Sequence, residues 1–351
     1  MNLERPPWWS LASMVEDVAP HLGPESRHRV QHALAVARTL PAELADRFYF
    51  EDRGDGSGRP MDFIIGVGNA GQRILAGRNP ALTVAPSLTR DPVWAGICKL
   101  ARRWSVASDP LNLIERILLE VDAPAELGTT PEPWLPGVFI QLPASESANR
   151  LAPVTLSALE CVSGGALPRA VRRTFLDLTR HLHGKTFLPF AAVFPSRDRD
   201  VIRVCLSGVR RPQHLTGLLP ALGASASLDV LTRLDDDWPG RPALGPAFVH
   251  LDLGDAIRPV IGLEYHFDRG RQRSGQIAEW PFLERLEAMG LLSRDILERC
   301  ARWPGRTRTI LRHRLSPSVL VRLTTHVKIL WQAGHPLQAK VYFGAGHTSI
   351  H

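Results

Sequence analysis

The order of predicted elements constrains this chain most, because a helical segment is followed by two short strands five times over. The repeat is one of element order, and the amino-acid sequences of the units are not similar. The strand pairs are predicted at 61–69 with 70–77, 115–122 with 136–143, 187–194 with 201–209, 247–255 with 257–268, and 319–331 with 336–346. An extra strand at 47–53 is an alternative within the first unit. No long linker separates the units, which predicts one domain over 1–351 with an N-terminal extension at 1–25.

Each predicted strand has one apolar and one polar face. In the last unit, Val327, Ile329 and Trp331 alternate with His326 and Lys328, the period-two pattern of a strand with two different surroundings. The helical segments are rich in Leu and Ala and need an apolar surface to pack on. The apolar strand faces therefore lie under the helices, and the polar faces point the other way.

Ten strands with such faces are predicted to close on themselves. An open sheet would leave two unpaired edges, and a sheet of ten twisted strands tends to curl. Closure removes the edges and gives a barrel wide enough to hold a ligand. The expected fold is α+β: a ten-stranded antiparallel β-barrel built from five helix–strand–strand repeats, with helices outside and polar side chains inside.

Polar side chains, most of them charged or imidazole groups, recur on the faces predicted to point inward. They are Asp62, Arg73, Glu120, Gln141, Arg203, His250, Glu264, His266, Arg322, Thr324, His326, Lys328, Lys340 and Tyr342. One inward cation is ordinarily solvated or paired, and an internal Glu264–Arg322 ion pair is a structural alternative to catalysis. Cations on several hairpins indicate a chamber for an anion.

Composition narrows the function classes. The formal net charge of +7 favours an anionic partner, but no basic block or aromatic-interleaved motif indicates nucleic-acid binding. No apolar run is long enough to span a membrane, and we expect a cytoplasmic protein. The four cysteines are far apart and have no zinc spacing, so neither a disulfide framework nor a metal site is predicted. The glycine-rich stretch at 66–71 is interpreted as a tight hairpin.

This architecture resembles that of the ABBA-type aromatic prenyltransferases, over most of the chain from about residue 26. The stretch 340-KVY-342 resembles the Lys-x-Tyr strand pattern of that family, and Lys328 adds a cation on the neighbouring strand. Arg203 resembles the basic position of the middle repeat, and Arg73 that of the first hairpin.

The resemblance implies transfer of a prenyl group from dimethylallyl or geranyl diphosphate to an aromatic small molecule or a peptide side chain. It implies diphosphate binding by Arg73, Arg203, Lys328 and Lys340, and a shield for the carbocation from Tyr342. Asp62 or Glu120 would orient the acceptor. No aspartate-rich metal motif is present, so no cofactor is expected to be obligatory, although magnesium could accompany the diphosphate.

The chain departs from the family pattern in its shortage of tyrosine. It has three tyrosines, and Tyr265 falls on an apolar strand face. Phe139, Phe190 and Phe194 are the predicted substitutes in the shield. Two alternatives stay open: a non-catalytic barrel that binds a ligand or peptide in a biosynthetic pathway, and a pentein-like guanidine-modifying enzyme. The latter would use Cys205 as nucleophile with His266 and Glu264 as partners.

Overall fold

The computed structural model describes residues 10–349 except 24–25, 80, 125–133, 183–185, 210–246, 269–271, 273–276, 278, 312–315 and 333. The predicted fourth helical segment, 214–238, lies outside these residues.

Eleven strands form one antiparallel sheet. They are β1 (Arg47–Arg53), β2 (Asp62–Val67), β3 (Arg116–Val121), β4 (Gly137–Gln141), β5 (Phe187–Phe194), β6 (Asp198–Ser207), β7 (Phe248–Leu253), β8 (Ile257–His266), β9 (Gly305–Leu311), β10 (Ser316–Gln332) and β11 (Gln338–Ser349).

Ten of these strands close into a ring. The pairing runs in order from β1 to β8, then to β10 and β11, and β11 pairs with β1. Strand β9 lies outside the ring and pairs with the first part of the long β10, from Ser316 to Arg322. The predicted closed ten-stranded barrel is confirmed by this chain's own strand order, while β9 was not predicted.

The helices pack around the ring. They are α1 (Ala12–Val18), α2 (Ser26–Arg29), α3 (Gln31–Arg38), α4 (Asn69–Leu75), α5 (Pro86–Thr89), α6 (Pro92–Trp104), α7 (Ala148–Ser163), α8 (Arg169–His181), α9 (Trp280–Ala288) and α10 (Arg294–Arg302). Short 3-10 turns span Ala19–Leu22, Ala42–Leu44 and Pro110–Leu113. Within the described ranges, no helix is both long and apolar enough to cross a bilayer.

The core lies between the outer face of the ring and the helices. Phe48, Phe50 and Phe63 are buried there, and Phe50 packs edge-on against Trp303 with 6.0 Å between ring centroids. Burial of a side chain of this size stabilises the fold by about 1.5–3 kcal/mol. The apolar strand faces pack against the helices, and the polar faces therefore point into the ring.

The first hairpin differs from its prediction. Its strands are β1 and β2, whereas 70–77, expected as its second strand, lies mostly within helix α4 (Asn69–Leu75). Gly71, Ile74 and Leu75 are buried at the three- and four-residue spacing of a helix face. The hairpin interpretation of 66–71 was wrong, because these glycines join a strand to a helix. The inward position predicted for Arg73 was also wrong, since its side chain is exposed on α4.

A β-bulge in β10 changes which residues face the interior. The register with β11 shifts between Thr324 and His326, so Thr325 has no partner of its own. Arg322 and Thr324 consequently point to the helices, where Arg322 Nη1 donates to the carbonyl of Trp303 over 2.7 Å. The predicted inward positions of Arg322 and Thr324 were wrong, and so was the Glu264–Arg322 ion pair.

A buried ion cluster ties β1 to two helices. The carboxylate of Asp52 accepts hydrogen bonds from the guanidinium groups of Arg29 on α2 and Arg299 on α10. All three side chains are at most 5% exposed. Asp52 is on the outer face of β1, so this cluster supports the ring from outside and does not reach the interior.

Candidate functional site

The ring encloses a chamber of about 450 Å³. Every one of its ten strands contributes to the lining: Tyr49, Ile64, Glu120, Phe139, Phe190, Cys205, His250, Glu264, Lys328 and Tyr342 are examples in strand order. A volume of this size suits a small molecule. The polar faces therefore line a binding space, as the alternation predicted.

Aromatic rings form part of the chamber wall. Phe190 packs edge-on against Phe248 with centroids 5.5 Å apart, and Tyr49 and Tyr342 line the wall as well. Phe139 also lines it and packs on Phe194 at 5.4 Å. Tyr265 points outward onto Phe282, as expected from its apolar face. Phenylalanine thus supplies much of the aromatic surface that tyrosine cannot.

A charged layer of Glu51, Arg203, Lys328 and Lys340 lies on the inner faces of the ring. Lys328 and Lys340 are cross-strand partners of β10 and β11, and the ammonium of Lys340 donates to Glu51. Although burial disfavours its charged form, Lys340 and then Lys328 hold the pKa of Glu51 well below its usual range. Glu51 was missed by the sequence analysis, and the strand alternative at 47–53 was the signal that could have found it.

Lys328 differs from the other cations of the layer. It is 5% exposed, its Nζ lies 3.1 Å from His250 Nδ1, and in the described part of the chain it makes no salt bridge with a carboxylate. Burial, followed by the charge of Arg203, lowers the pKa of Lys328 to about 8. Gly262 on the neighbouring strand leaves room for this side chain, because a Cβ there would lie 2.6 Å from Lys328 Cε.

The arginines of the interior are already paired. Arg203 donates to both carboxylate oxygens of Asp252, over 2.7 and 2.9 Å. Arg197 donates to Glu120 and Asp122. The structure therefore brings together three of the four predicted diphosphate ligands, Arg203, Lys328 and Lys340, of which Lys328 is the cation available without breaking an ion pair.

Three histidines surround the carboxylate of Glu264. His250 Nε2 lies 2.7 Å from Glu264 Oε2, and His266 Nε2 lies 2.5 Å from Oε1. His326 is the third, with its Nε2 3.7 Å from the same Oε1. Burial lowers the pKa of His250 to about 4 and that of His326 to about 3, so both imidazoles are neutral at pH 7. These four predicted lining residues form one cluster.

Gln141, the remaining predicted lining residue, is the last residue of β4. Its Nε2 donates to Glu115 over 2.9 Å, and Arg116 Nη1 donates to its Oε1. Arg116 in turn bonds Asp46. Gln141 therefore belongs to a polar network away from the charged layer.

The cysteine of the pentein-like alternative does not have the predicted partner. Cys205 Sγ lies 3.4 Å from Nδ1 of His250, not of His266. Burial, with the charge of Glu264, raises the pKa of the Cys205 thiol. A thiol held in its neutral form is a poor nucleophile, so this arrangement favours a structural role for Cys205.

The two acidic candidates have different surroundings. Glu120 lines the chamber and accepts from Arg197. Asp62 is buried, and its Oδ1 accepts from the backbone N–H of Ala123 over 2.8 Å. Burial, followed by the charge of Glu51, raises the pKa of Asp62 to about 8. Asp62 is therefore protonated at pH 7, next to an ionised Glu51.

Asp62→Asn is expected to flatten the pH dependence of stability. Between about pH 4 and pH 8 the folded protein holds a proton on Asp62 that the unfolded chain has released. This group therefore lowers the free energy of unfolding as pH rises, by up to about 1.4 kcal/mol per pH unit. Asparagine keeps the acceptor for Ala123 and cannot ionise. Urea unfolding at pH 5, 6, 7 and 8 should show the variant gaining on the wild type at each step.

Parallel stability curves for the two proteins over that range would contradict the raised pKa. Titration of the neighbouring Glu51 does not contribute to the pH dependence between pH 5 and pH 8. Because its pKa is lowered, its contribution is lost only as pH falls below its unfolded value of 4.5, outside the window used.

Comparison with known proteins gives likenesses in structure alone. No family model and no curated protein matches the sequence. The fold is similar to the crystal structure of the prenyltransferase PriB in its apo form, with a TM-score of 0.49 and 15% identity over 95% of each chain. It is also similar to 5-dimethylallyltryptophan synthase from Streptomyces coelicolor, with a TM-score of 0.47 and 15% identity over 95% of this chain and 97% of that one.

The barrel itself does not depend on these likenesses, because the pairing of β11 with both β10 and β1 closes the ring within this chain. Helices surround it, consecutive strands are antiparallel, and the polar faces enclose a chamber. The chain thus has the closed, helix-wrapped ten-stranded barrel that its resemblance to the ABBA-type prenyltransferases implies.

Proposed function

We propose that this protein is a prenyltransferase, which transfers a dimethylallyl or geranyl group from its diphosphate to an aromatic small molecule or a peptide side chain. The observation that carries the proposal is Lys328, which lines a chamber with an aromatic wall and has Lys340 as its cross-strand partner on β11. The sequence resemblance supplies the reaction class.

The charged layer is suited to a departing diphosphate. Ionisation of an allylic diphosphate places several negative charges on the leaving group, and fixed cations in a confined site stabilise them more than they would in water. Lys328 offers an ammonium that pairs with no carboxylate among the described residues, while Lys340 and Arg203 would exchange Glu51 and Asp252 for phosphate oxygens. Arg73 has no part in this proposal, because it lies outside the barrel.

The aromatic wall is suited to the carbocation. Rings within about 6 Å of a cation stabilise it through their quadrupole, and a wall of Phe190, Phe248, Tyr49 and Tyr342 also limits the access of water. Glu120 lines the same space, whereas Asp62 is buried beside its cross-strand partner Glu51. The role of orienting the acceptor is therefore proposed for Glu120.

The proposal includes no obligatory cofactor, and magnesium would enter only as a counter-ion of the diphosphate. It places the reaction in the cytoplasm, in keeping with four free cysteines. The acceptor is aromatic in this proposal, and neither a nucleic acid nor a membrane is a partner.

The test is product formation. The full chain is incubated with dimethylallyl or geranyl diphosphate and a panel of aromatic acceptors, including tryptophan- and tyrosine-containing peptides, and products are identified by mass spectrometry. Prenylated acceptor is the expected result. Binding of an acceptor or a thiolodiphosphate analogue without any turnover would support the non-catalytic barrel instead, and absence of both binding and turnover would reject the proposal.

Tyr342 gives this assay a specific prediction. Its ring stacks on His326 at 3.9 Å and lines the chamber, while its hydroxyl bonds Glu51 and so is not free for the diphosphate. Tyr342→Phe keeps the ring and should retain most activity. Tyr342→Ala removes a cation–π contribution of about 0.5–2 kcal/mol, so turnover should fall roughly two- to thirtyfold.

The readout is the ratio of prenyl alcohol to prenylated product. Because a gap at residue 342 admits water, the alanine variant should release more alcohol than the wild type or Tyr342→Phe. Equal rates and ratios in all three proteins would show that Tyr342 only fills the wall.

A further inference from the structure

Glu264, His266 and His326 place three metal-ligating atoms on one patch of the chamber wall. One ligand atom from each lies within 4.8 Å of the other two. The two histidines are cross-strand partners on β8 and β10, with ring centroids 5.1 Å apart. All three residues line the chamber, so an ion there would have positions open to a ligand.

The tautomer of His326 can be derived from its neighbours. Thr325 Oγ1 lies 3.1 Å from the carbonyl oxygen of Tyr342, which can only accept, so the hydroxyl donates to it. The same Oγ1 lies 3.0 Å from His326 Nδ1 and is left as the acceptor there. Nδ1 of His326 therefore carries the hydrogen, and Nε2 presents a lone pair.

That lone pair faces the carboxylate. His326 Nε2 and Glu264 Oε1 are both acceptors and are 3.7 Å apart, a pairing that is unfavourable until a cation lies between them. The β-bulge in β10 creates the arrangement, since it turns Thr325 and His326 to the same side. Bulges are common where a strand must re-aim a side chain at a functional site.

We propose that Glu264, His266 and His326 bind a first-row divalent transition metal such as Zn²⁺, with the remaining coordination positions open to the chamber. Two imidazoles and one carboxylate are a donor set that suits Zn²⁺, Co²⁺ or Fe²⁺. Bonds of about 2.0–2.2 Å require ligand atoms no more than about 4.2 Å apart, so a small movement of the partly exposed His266 completes the site.

Outer contacts support the same three ligands. His250 Nε2 bonds the second carboxylate oxygen of Glu264, and Thr325 bonds the distal nitrogen of His326. Such partners orient metal ligands and fix their tautomers. In the absence of metal, His266 Nε2 donates to Glu264 Oε1, so metal binding through Nε2 requires the neutral ring to carry its hydrogen on Nδ1 instead.

This site was not expected from the sequence, which has no zinc-type spacing. It also does not depend on prenyl transfer, because its ligands are inferred from their own geometry. Its test reads metal binding directly, so that a failure of this proposal and a failure of the proposed function are distinguishable.

The experiment titrates the metal-free full chain with Co²⁺, followed by visible absorption, and then measures Zn²⁺ affinity by competition with a chelator. We expect one Co²⁺ per chain with d–d bands, and displacement by Zn²⁺. His266→Ala and His326→Ala should abolish the bands and weaken Zn²⁺ binding by more than about 100-fold. Thr325→Val keeps the three ligands, removes the hydroxyl that bonds His326 Nδ1 and the carbonyl of Tyr342, and should weaken binding by about 10- to 100-fold.

His181→Ala is the matched control for adventitious binding. His181 is exposed at the end of α8, outside the barrel, and its removal should leave the affinity and the spectrum unchanged. Circular dichroism checks that each variant is folded. The proposal is overturned if the wild type gives no Co²⁺ bands, or if folded His266→Ala and His326→Ala bind Zn²⁺ as tightly as the wild type.

Discussion

Replacement of Asp52 with alanine is expected to lower the free energy of unfolding by about 3–5 kcal/mol. The carboxylate lies between the guanidinium groups of Arg29 and Arg299, and all three side chains are nearly inaccessible to water. Removing the anion leaves two buried guanidinium groups close to each other, with Arg299 still paired to Asp295 but no carboxylate between them. A loss of one partner from a buried ion cluster is costly because the remaining charges cannot regain their hydration.

Asp198→Ala is the matched control, measured by the same urea or guanidinium unfolding. Asp198 pairs with Arg258 on the surface, where 41% and 47% of the two side chains are exposed. Exposed pairs contribute about 0–1 kcal/mol, so this variant should be close to the wild type. An equal decrease in the free energy of unfolding of the two variants would mean that the buried Asp52 cluster stabilises the fold no more than an exposed ion pair does.

Replacement of Lys328 with methionine is expected to reduce prenyl transfer by roughly 10²–10³-fold, the usual effect of removing one group that stabilises developing negative charge. Methionine has a similar length and no charge, so the packing against Gly262 is kept. Affinity for a thiolodiphosphate analogue should fall as well, because the variant lacks the Lys328 ammonium that contacts His250 at the chamber wall.

Lys99→Met controls for the loss of a lysine as such, since Lys99 is exposed on α6 outside the barrel. Calorimetric titration with the analogue and single-turnover assays should not distinguish it from the wild type. Unchanged analogue affinity in a folded Lys328→Met protein would remove Lys328 from the anion site.

Lys340→Glu is a less informative test of the anion site than Lys328→Met. Lys340 is not a free cation, because its ammonium donates to Glu51 and the side chain is mostly buried. A glutamate there would add a further carboxylate beside Glu51 and Asp62 and would destabilise the fold. Loss of diphosphate binding in that variant could then reflect unfolding.

The sequence alone determined the barrel and the character of its interior. Strands with one apolar and one polar face, each pair preceded by an amphipathic helix, have few ways to bury the apolar faces and pair every edge. That pattern located Lys328, Lys340, Tyr342 and the histidines on inner faces, because parity along a regular strand is a local property. It also placed Tyr265 against the helices.

Only the tertiary structure decided the first hairpin and the bulge. Residues 69–75 carry apolar positions that suit a strand or a helix, and the pairing of β1 with β11 settles the choice by filling the strand position. The bulge at Thr325 reverses the inward–outward alternation midway along β10, and it shows only in the register of β10 against β11. Neither depends on nearby residues alone.

The partners of the charges were also beyond the sequence. Parity shows that Arg203, Lys340 and Glu264 point inward, but not that Asp252, Glu51 and three histidines meet them there. These contacts join residues up to 289 positions apart, and their distances follow from strand register around a closed ring. The sequence thus determined which side chains face inward along the regular strands, whereas the bulge and the closure of the ring decided which charges remain available, because each pairing needs atoms brought together from separate strands.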